Sequence, residues 1–192
     1  MGVIKTALEI ALEKTENVKS DRSSINMYEA KQKGIKIANA FLSGEIDIAE
    51  EIKKTPAADR ESVKQGIFDM LITQIALPDG KDGEAKMERL GKGLSAVIKS
   101  NEFSAMFKQL LQIFSQYTGE TAQYEKMIEQ QYAPKLRQKE EELSRRFGRE
   151  VRIDPAQDPE YITFYNQHMS ALKSNYEPVV EQAREEAKRM FS

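Results

Sequence analysis

The sequence predicts an all-α fold, a helical bundle followed by a long antiparallel helical hairpin kinked at two prolines. Three observations predict it. Apolar residues recur at the i, i+3, i+4, i+7 spacing of amphipathic helices along most of the chain. Gly, Pro and small polar residues interrupt that spacing at a few defined points. After Gly119 two long periodic stretches are joined by about ten residues, the arrangement of a helical hairpin. The expected organisation is a bundle over residues 1–118 and the hairpin over 119–192, together one continuous folding unit.

Val3, Ile4, Ala7, Leu8, Ala11 and Leu12 form the apolar face of the first expected helix. Its polar face, with Glu9, Glu13 and Lys14, lacks the basic excess of a helix lying on anionic lipid, so it is expected to pack on protein. Asp21 and Ser23 offer N-caps for a second helix reaching Leu42, with Ile25, Tyr28, Ile35, Ala38 and Leu42 facing inward and Ser43-Gly44 as its stop. A short helix from about Glu45 to Lys53 presents Ile46, Ile48 and Ile52. Thr55-Pro56 reads as N-cap and first residue of the next helix, which carries Val63, Ile67, Met70, Leu71 and Ile75.

Pro78-Asp79-Gly80-Lys81-Asp82-Gly83 is the clearest loop, because Pro cannot continue a helix and Gly favours turns. A helix from about Glu84 to Ser100 follows, with Gly91 and Gly93 each costing it ~1 kcal/mol relative to Ala, which suggests a close helix crossing. Ser100 or Asn101 then caps the strongest apolar stripe: Phe103, Met106, Phe107, Leu110, Leu111, Phe114 and Tyr117. This is the expected central core helix.

The first hairpin helix is expected from about Glu120 to Phe147, closed by Gly148. It starts with Tyr124, Met127 and Ile128, but beyond Leu136 only Leu143 is apolar before Phe147. The second is expected from Pro159 to about Met190 and begins with Tyr161, Phe164, Tyr165, His168, Met169, Leu172 and Tyr176 at helical spacing. An antiparallel pairing sets the sparse end of one helix beside the aromatic start of the other. That mismatch makes Tyr161, Phe164, Tyr165, Met169, Leu143 and Phe147 the candidate interface, covered either by the N-terminal helices or by another chain. Pro134 and Pro178 lie inside these helices, where each removes a hydrogen bond and predicts a kink.

Composition narrows the chemistry. The 192 residues are 40% hydrophobic and 31% charged, with a formal net charge of −2 and the two signs interleaved. No acidic or basic half exists to steer a polyanion, which speaks against duplex nucleic acid. The chain has no Cys, removing disulfides, thiolate nucleophiles and cysteine-ligated metals together. No stretch approaches the ~20 apolar residues of a membrane span, so a cytoplasmic location is expected. Met1-Gly2-Val3-Ile4-Lys5-Thr6 fits the loose myristoylation pattern, though these residues read more simply as the lead into a helix.

No catalytic, cofactor or metal set assembles. The single histidine, His168, has no carboxylate three or four residues away, and Tyr165 stands where a di-iron bundle needs Glu, so it reads as a histidine at the edge of a packed helix. Gly80, Gly83, Gly91 and Gly93 lack the flanking residues of a phosphate loop, and Asp79 and Asp82 lack those of an EF-hand. Glu140-Glu141-Glu142 points in successive directions and reads as solvated surface. The strongest signal is Arg145, Arg146, Arg149 and Arg152 around the turn. They suit a helix C-terminus electrostatically and are the candidate contact for an anion or an acidic partner. Glu150, Asp154, Asp158 and Glu160 are near enough in sequence to neutralise them.

The opening Ile4-Lys5-Thr6-Ala7-Leu8-Glu9-Ile10-Ala11-Leu12-Glu13-Lys14-Thr15 resembles the start of a family of uncharacterised bacterial helical proteins. The resemblance implies a bacterial cytoplasmic origin and transfers no activity or residue role. The leading functional expectation is a non-enzymatic adaptor, assembly or structural protein that contacts a protein partner or a second copy through the hairpin. A helical regulator binding a small ligand, and an RNA- or ribosome-associated factor using the arginines, are the alternatives.

Overall fold

The computed structural model describes residues 7–80 and 82–191, with the backbone alone over 7–23. Among these residues it has six α-helices, α1 (Ala7–Ser43), α2 (Ile48–Lys54), α3 (Arg60–Ile72), α4 (Gly83–Ile98), α5 (Asn101–Phe147) and α6 (Pro159–Phe191). A 3-10 turn, Pro155–Gln157, precedes α6. The chain is all-α, and no helix among the described residues is long and apolar enough to cross a membrane. The myristoylation pattern and the side chains of the first expected apolar face lie outside the described residues.

The chain divides into two compact units. One comprises Met1–Ile75, Arg89–Phe103 and Ala187–Ser192; the other comprises Ala76–Glu88 and Ser104–Glu186. The 118/119 boundary of the sequence reading falls inside α5.

The first unit is organised by a crossing of α1 and α3. A Cβ on Gly34 would run into the Val63 carbonyl oxygen and lie 2.9 Å from the Ile67 nitrogen, and one on Gly66 would run into the Lys31 carbonyl oxygen. The two backbones therefore touch where the glycines stand, and Val63, Ile67, Leu71, Ile37 and Ala38 are buried around them. Lys31 and Asp69 form an ion pair across the same two helices. Gly93 lets α4 approach closely as well: a Cβ there would lie 2.7 Å from Phe41 and 2.9 Å from Leu71. Near the chain end Phe191 stacks on Phe68, with centroids 4.1 Å apart.

Four expectations are corrected here. Asp21 and Ser23 start no second helix, because α1 runs through both; a polar residue in a long helix costs only tenths of a kcal/mol, roughly. Ile25 and Tyr28 are exposed rather than inward, since the face turned to α3 is the one with small residues, Ala30, Gly34 and Ala38. Thr55-Pro56 does not open α3. Buried Thr55 closes α2 instead, donating its hydroxyl to the Glu51 carbonyl at 2.9 Å and its N–H to Ile52, while α3 starts at Arg60 after a turn. Arg60 then donates from Nε to the Thr55 carbonyl at 3.0 Å, satisfying an acceptor at the α2 end. Finally, Gly119 breaks nothing: it is exposed within a single 47-residue helix, whose continuous ladder outweighs one glycine. The helices also continue through Pro134 and Pro178.

In the second unit Tyr117, Ile128, Met169 and Leu172 form a buried cluster, with Leu77, Tyr124, Tyr161, Phe164, Tyr165 and Tyr176 packed against it. Tyr117 meets Tyr176 edge-on at 5.1 Å and Tyr132 meets Tyr161 edge-on at 5.2 Å. Tyr165 donates to Glu125 at 2.9 Å. Later residues of α5 thus meet earlier residues of α6, the order of an antiparallel seam.

Candidate functional site

The aromatic start of α6 is the first place to look. Tyr161, Phe164 and Tyr165 are half-buried and Met169 is buried, and what covers them is α5 of the same unit through Ile128 and Tyr132. The expected face mismatch is therefore smaller than the sequence suggests, although Ile162 beside the stripe is 42% exposed. The register brings the richer middle of α5 opposite the stripe, and Tyr132, which the apolar periodicity passed over, supplies the missing ring. Burial, and then the bond to Glu125, push the Tyr165 hydroxyl up to about 12. His168 stands half-buried and edge-on to Phe164 at 4.5 Å. Of the candidate interface, Leu143 is half-buried and Phe147 alone is exposed, at 59%.

Beyond the stripe the seam becomes polar. Tyr132 is buried and donates its hydroxyl to Asp158 Oδ2 at 2.9 Å; Lys139 donates to both Asp158 oxygens, at 2.9 and 2.8 Å, and to the Tyr132 oxygen at 3.2 Å. Lys135 and Lys139 also pair with Glu160, at 2.7 and 3.0 Å. Asp158 is only 5% exposed. The Lys139 ammonium, then the Tyr132 hydroxyl, hold its carboxyl below the usual carboxylate range against the opposing effect of burial. The same bonds raise Lys139, and Lys135 holds Glu160 low. Asp158 also accepts the Glu160 N–H at 3.1 Å and so caps α6, whose first residue is Pro159. Sequence spacing gave no hint of this clasp, because its lysines and carboxylates come from different helices and meet only through the register.

The tip lies past the clasp. α5 ends at Phe147 because Gly148 takes the left-handed conformation, φ 65°, that terminates helices. The returning loop is tied down from α5: Ser144 accepts the Val151 N–H at 2.9 Å and Glu140 accepts the Ile153 N–H at 2.9 Å. Asp154 accepts the Ala156 N–H at 2.9 Å and caps the 3-10 turn. Glu140 is thus a loop anchor rather than solvated surface.

All four arginines are exposed here. Arg145 reaches Glu141 at 3.8 Å, Arg152 reaches Glu150 at 3.0 Å, and Arg146 sits 6.0 Å from the Phe147 ring centre. Of the acidic residues expected to neutralise them, only Glu150 does so: Asp158 and Glu160 serve the lysines and Asp154 caps a turn. Among the described residues no group of three or more acidic or histidine side chains is placed to hold a metal ion. The sequence signal for the arginines was composition; that Asp154, Asp158 and Glu160 serve other partners instead appears only in three dimensions.

Neither the curated proteins nor the solved structures give a match to this chain. The opening segment that carried the family resemblance lies outside the stretch that matches a family, which begins in α2 and ends near the close of α6. Residues 49–189 match DUF6657, a family of unknown function, and the chain belongs to that family.

Proposed function

We propose that the protein is a non-enzymatic interaction protein of the bacterial cytoplasm that docks on a protein partner through the tip of the α5–α6 pair. One observation carries the reading: Phe147, a large apolar ring, is 59% exposed at the end of α5, next to a loop whose backbone is held in place. Exposed aromatic rings on prepared surfaces serve binding well, because little order remains to be imposed on contact. The aromatic stripe contributes by keeping the two helices together, not by touching the partner.

The test is a photoactivatable benzoylphenylalanine placed at position 147 or, as a control, at exposed Gln130 in living cells. A protein adduct from 147 and none from 130 is the expected result; no adduct from 147 overturns the reading. Light scattering of the wild type and Phe147→Glu reports whether the partner is a second copy: a dimer that becomes a folded monomer would make it so.

A small-ligand reading has one observation in its favour. Thr121 Oγ1 is buried without a hydrogen-bond partner, and Thr121 lines an open groove of about 500 Å³ with Tyr117, Tyr165, Asn166 and Lys173. A groove that held a polar metabolite would raise the thermal midpoint on its addition. A screen of polar metabolites that leaves the midpoint unmoved removes this reading.

A further inference from the structure

We infer that the tip receives an acidic segment of the partner protein carrying an apolar side chain, an inference that rests on the interaction reading above. Over residues 145–152 there are four arginines and one glutamate. Arg145 and Arg152 are 81% and 85% exposed. The two ion pairs they make, with Glu141 and Glu150, are solvent-exposed and of the kind that contributes little. Arg149 has no ion pair or hydrogen bond among the described residues, and Arg146 meets only the ring of its neighbour. Four weakly engaged guanidinium groups thus stand together in sequence, two on the last turn of α5 and two on the loop that Ser144, Glu140 and Asp154 hold.

The chemistry points to carboxylates. Guanidinium forks bind carboxylate and phosphate oxygens in pairs, so both kinds of anion satisfy the arginines locally. Their surroundings separate the two. The chain carries a net charge of −2, and Glu141 and Glu150 pair with two of the four arginines, so the tip offers no extended basic track for a long uniformly charged backbone. A short acidic peptide segment needs only the tip itself, and its apolar side chain has Phe147 and half-buried Val151 to rest on. Aromatic residues and arginine are also both enriched at protein interfaces.

The cross-linker at position 147 supplies the test when the adducted peptide is sequenced. The expected peptide has net negative charge and an apolar residue at or beside the linked site. Arg145→Glu with Arg149→Glu should lower the adduct yield at least about tenfold, and Lys at both positions should restore part of it, since charge returns without the fork. Circular dichroism on the same variants should show an intact fold, because neither arginine holds another element. A neutral or basic peptide, or a yield unchanged by charge reversal, overturns this inference and leaves the interaction reading standing. No protein adduct at all overturns the interaction reading itself, and an adduct removed by nuclease overturns both.

Discussion

The α1–α3 crossing and the α5–α6 seam hold helices together by opposite means. At the crossing the backbones touch, because Gly34 and Gly66 leave no side chain between them. Along the seam the helices meet through Tyr117, Ile128, Tyr132, Tyr161 and Met169, and then through the Lys139–Asp158 clasp. A backbone contact has no rotamers with which to yield, whereas a seam of side chains can repack. The crossing should therefore break at one added methyl, and the seam should weaken by degrees.

Gly34→Ala breaks the comparison most sharply. In an unconstrained helix this change gains ~1 kcal/mol from propensity. Here the new methyl meets the Val63 carbonyl, so the helices must separate and the variant should lose about 3 kcal/mol, the upper part of the overpacking range. Chemical denaturation measures it. A variant as stable as the wild type would show that the crossing can slide.

The clasp comes next. Asp158→Asn leaves Lys139 facing an amide and should lower the thermal midpoint by on the order of 5 °C. The pH dependence follows from the direction of the shift. The folded-state carboxyl is held below its unfolded value, so its contribution is complete above the unfolded pKa of about 4 and is lost as pH falls through the folded value. Wild type and Asp158→Asn should differ most above about pH 5 and converge in strong acid. A constant difference across that range would remove the ion pair as the cause. Tyr165 acts at the other limit. Its hydroxyl is raised to about 12, so the stability it adds is present below the ordinary tyrosine value near 10 and disappears between about 10 and 12.

Ile128→Val probes the graded side. Ile128 is fully buried in the seam, and removing one methylene should cost about 1 kcal/mol, read from the same denaturation curves. A loss as large as that of Gly34→Ala would show the seam to be as unforgiving as the crossing.

The difference between these two regions also decides what sequence could show. Periodicity finds the residues that face a core, and Val63, Ile67, Leu71, Phe103, Phe107, Leu110, Phe114 and Tyr117 are all buried. Local chemistry finds helix ends where the signal acts on its own backbone: Ser100 accepts the Phe103 N–H at 3.3 Å, and Gly148 and Pro159 stand where α5 ends and α6 begins. It fails where a capping residue is only one use of a side chain. Asp21 and Ser23 lie within α1, and Thr55 closes a helix that it was expected to follow. Pairing across elements is the larger gap. The stripe of α6 looked uncovered because Tyr132 was not counted against it, and the arginines looked neutralised because Asp158 and Glu160 lie near them in sequence. Both errors come from register, a property of two helices that neither helix encodes alone.

The arginine tip should show the smallest structural effect. Arg145→Glu with Arg149→Glu removes only the exposed 3.8 Å pair to Glu141 and alters no buried group, so the thermal midpoint should move by no more than about 2 °C. Some loss is expected because the last turn of a helix favours positive charge, and Arg145 sits in the last turn of α5. The contrast with Asp158 is what makes the measurement useful: two charge changes on the same pair of helices, one inside the clasp and one beyond it, should differ severalfold in stability. If the tip variant unfolds as readily as Asp158→Asn, its arginines hold the loop rather than await a partner, and any loss of adduct at position 147 would then report folding instead of recognition.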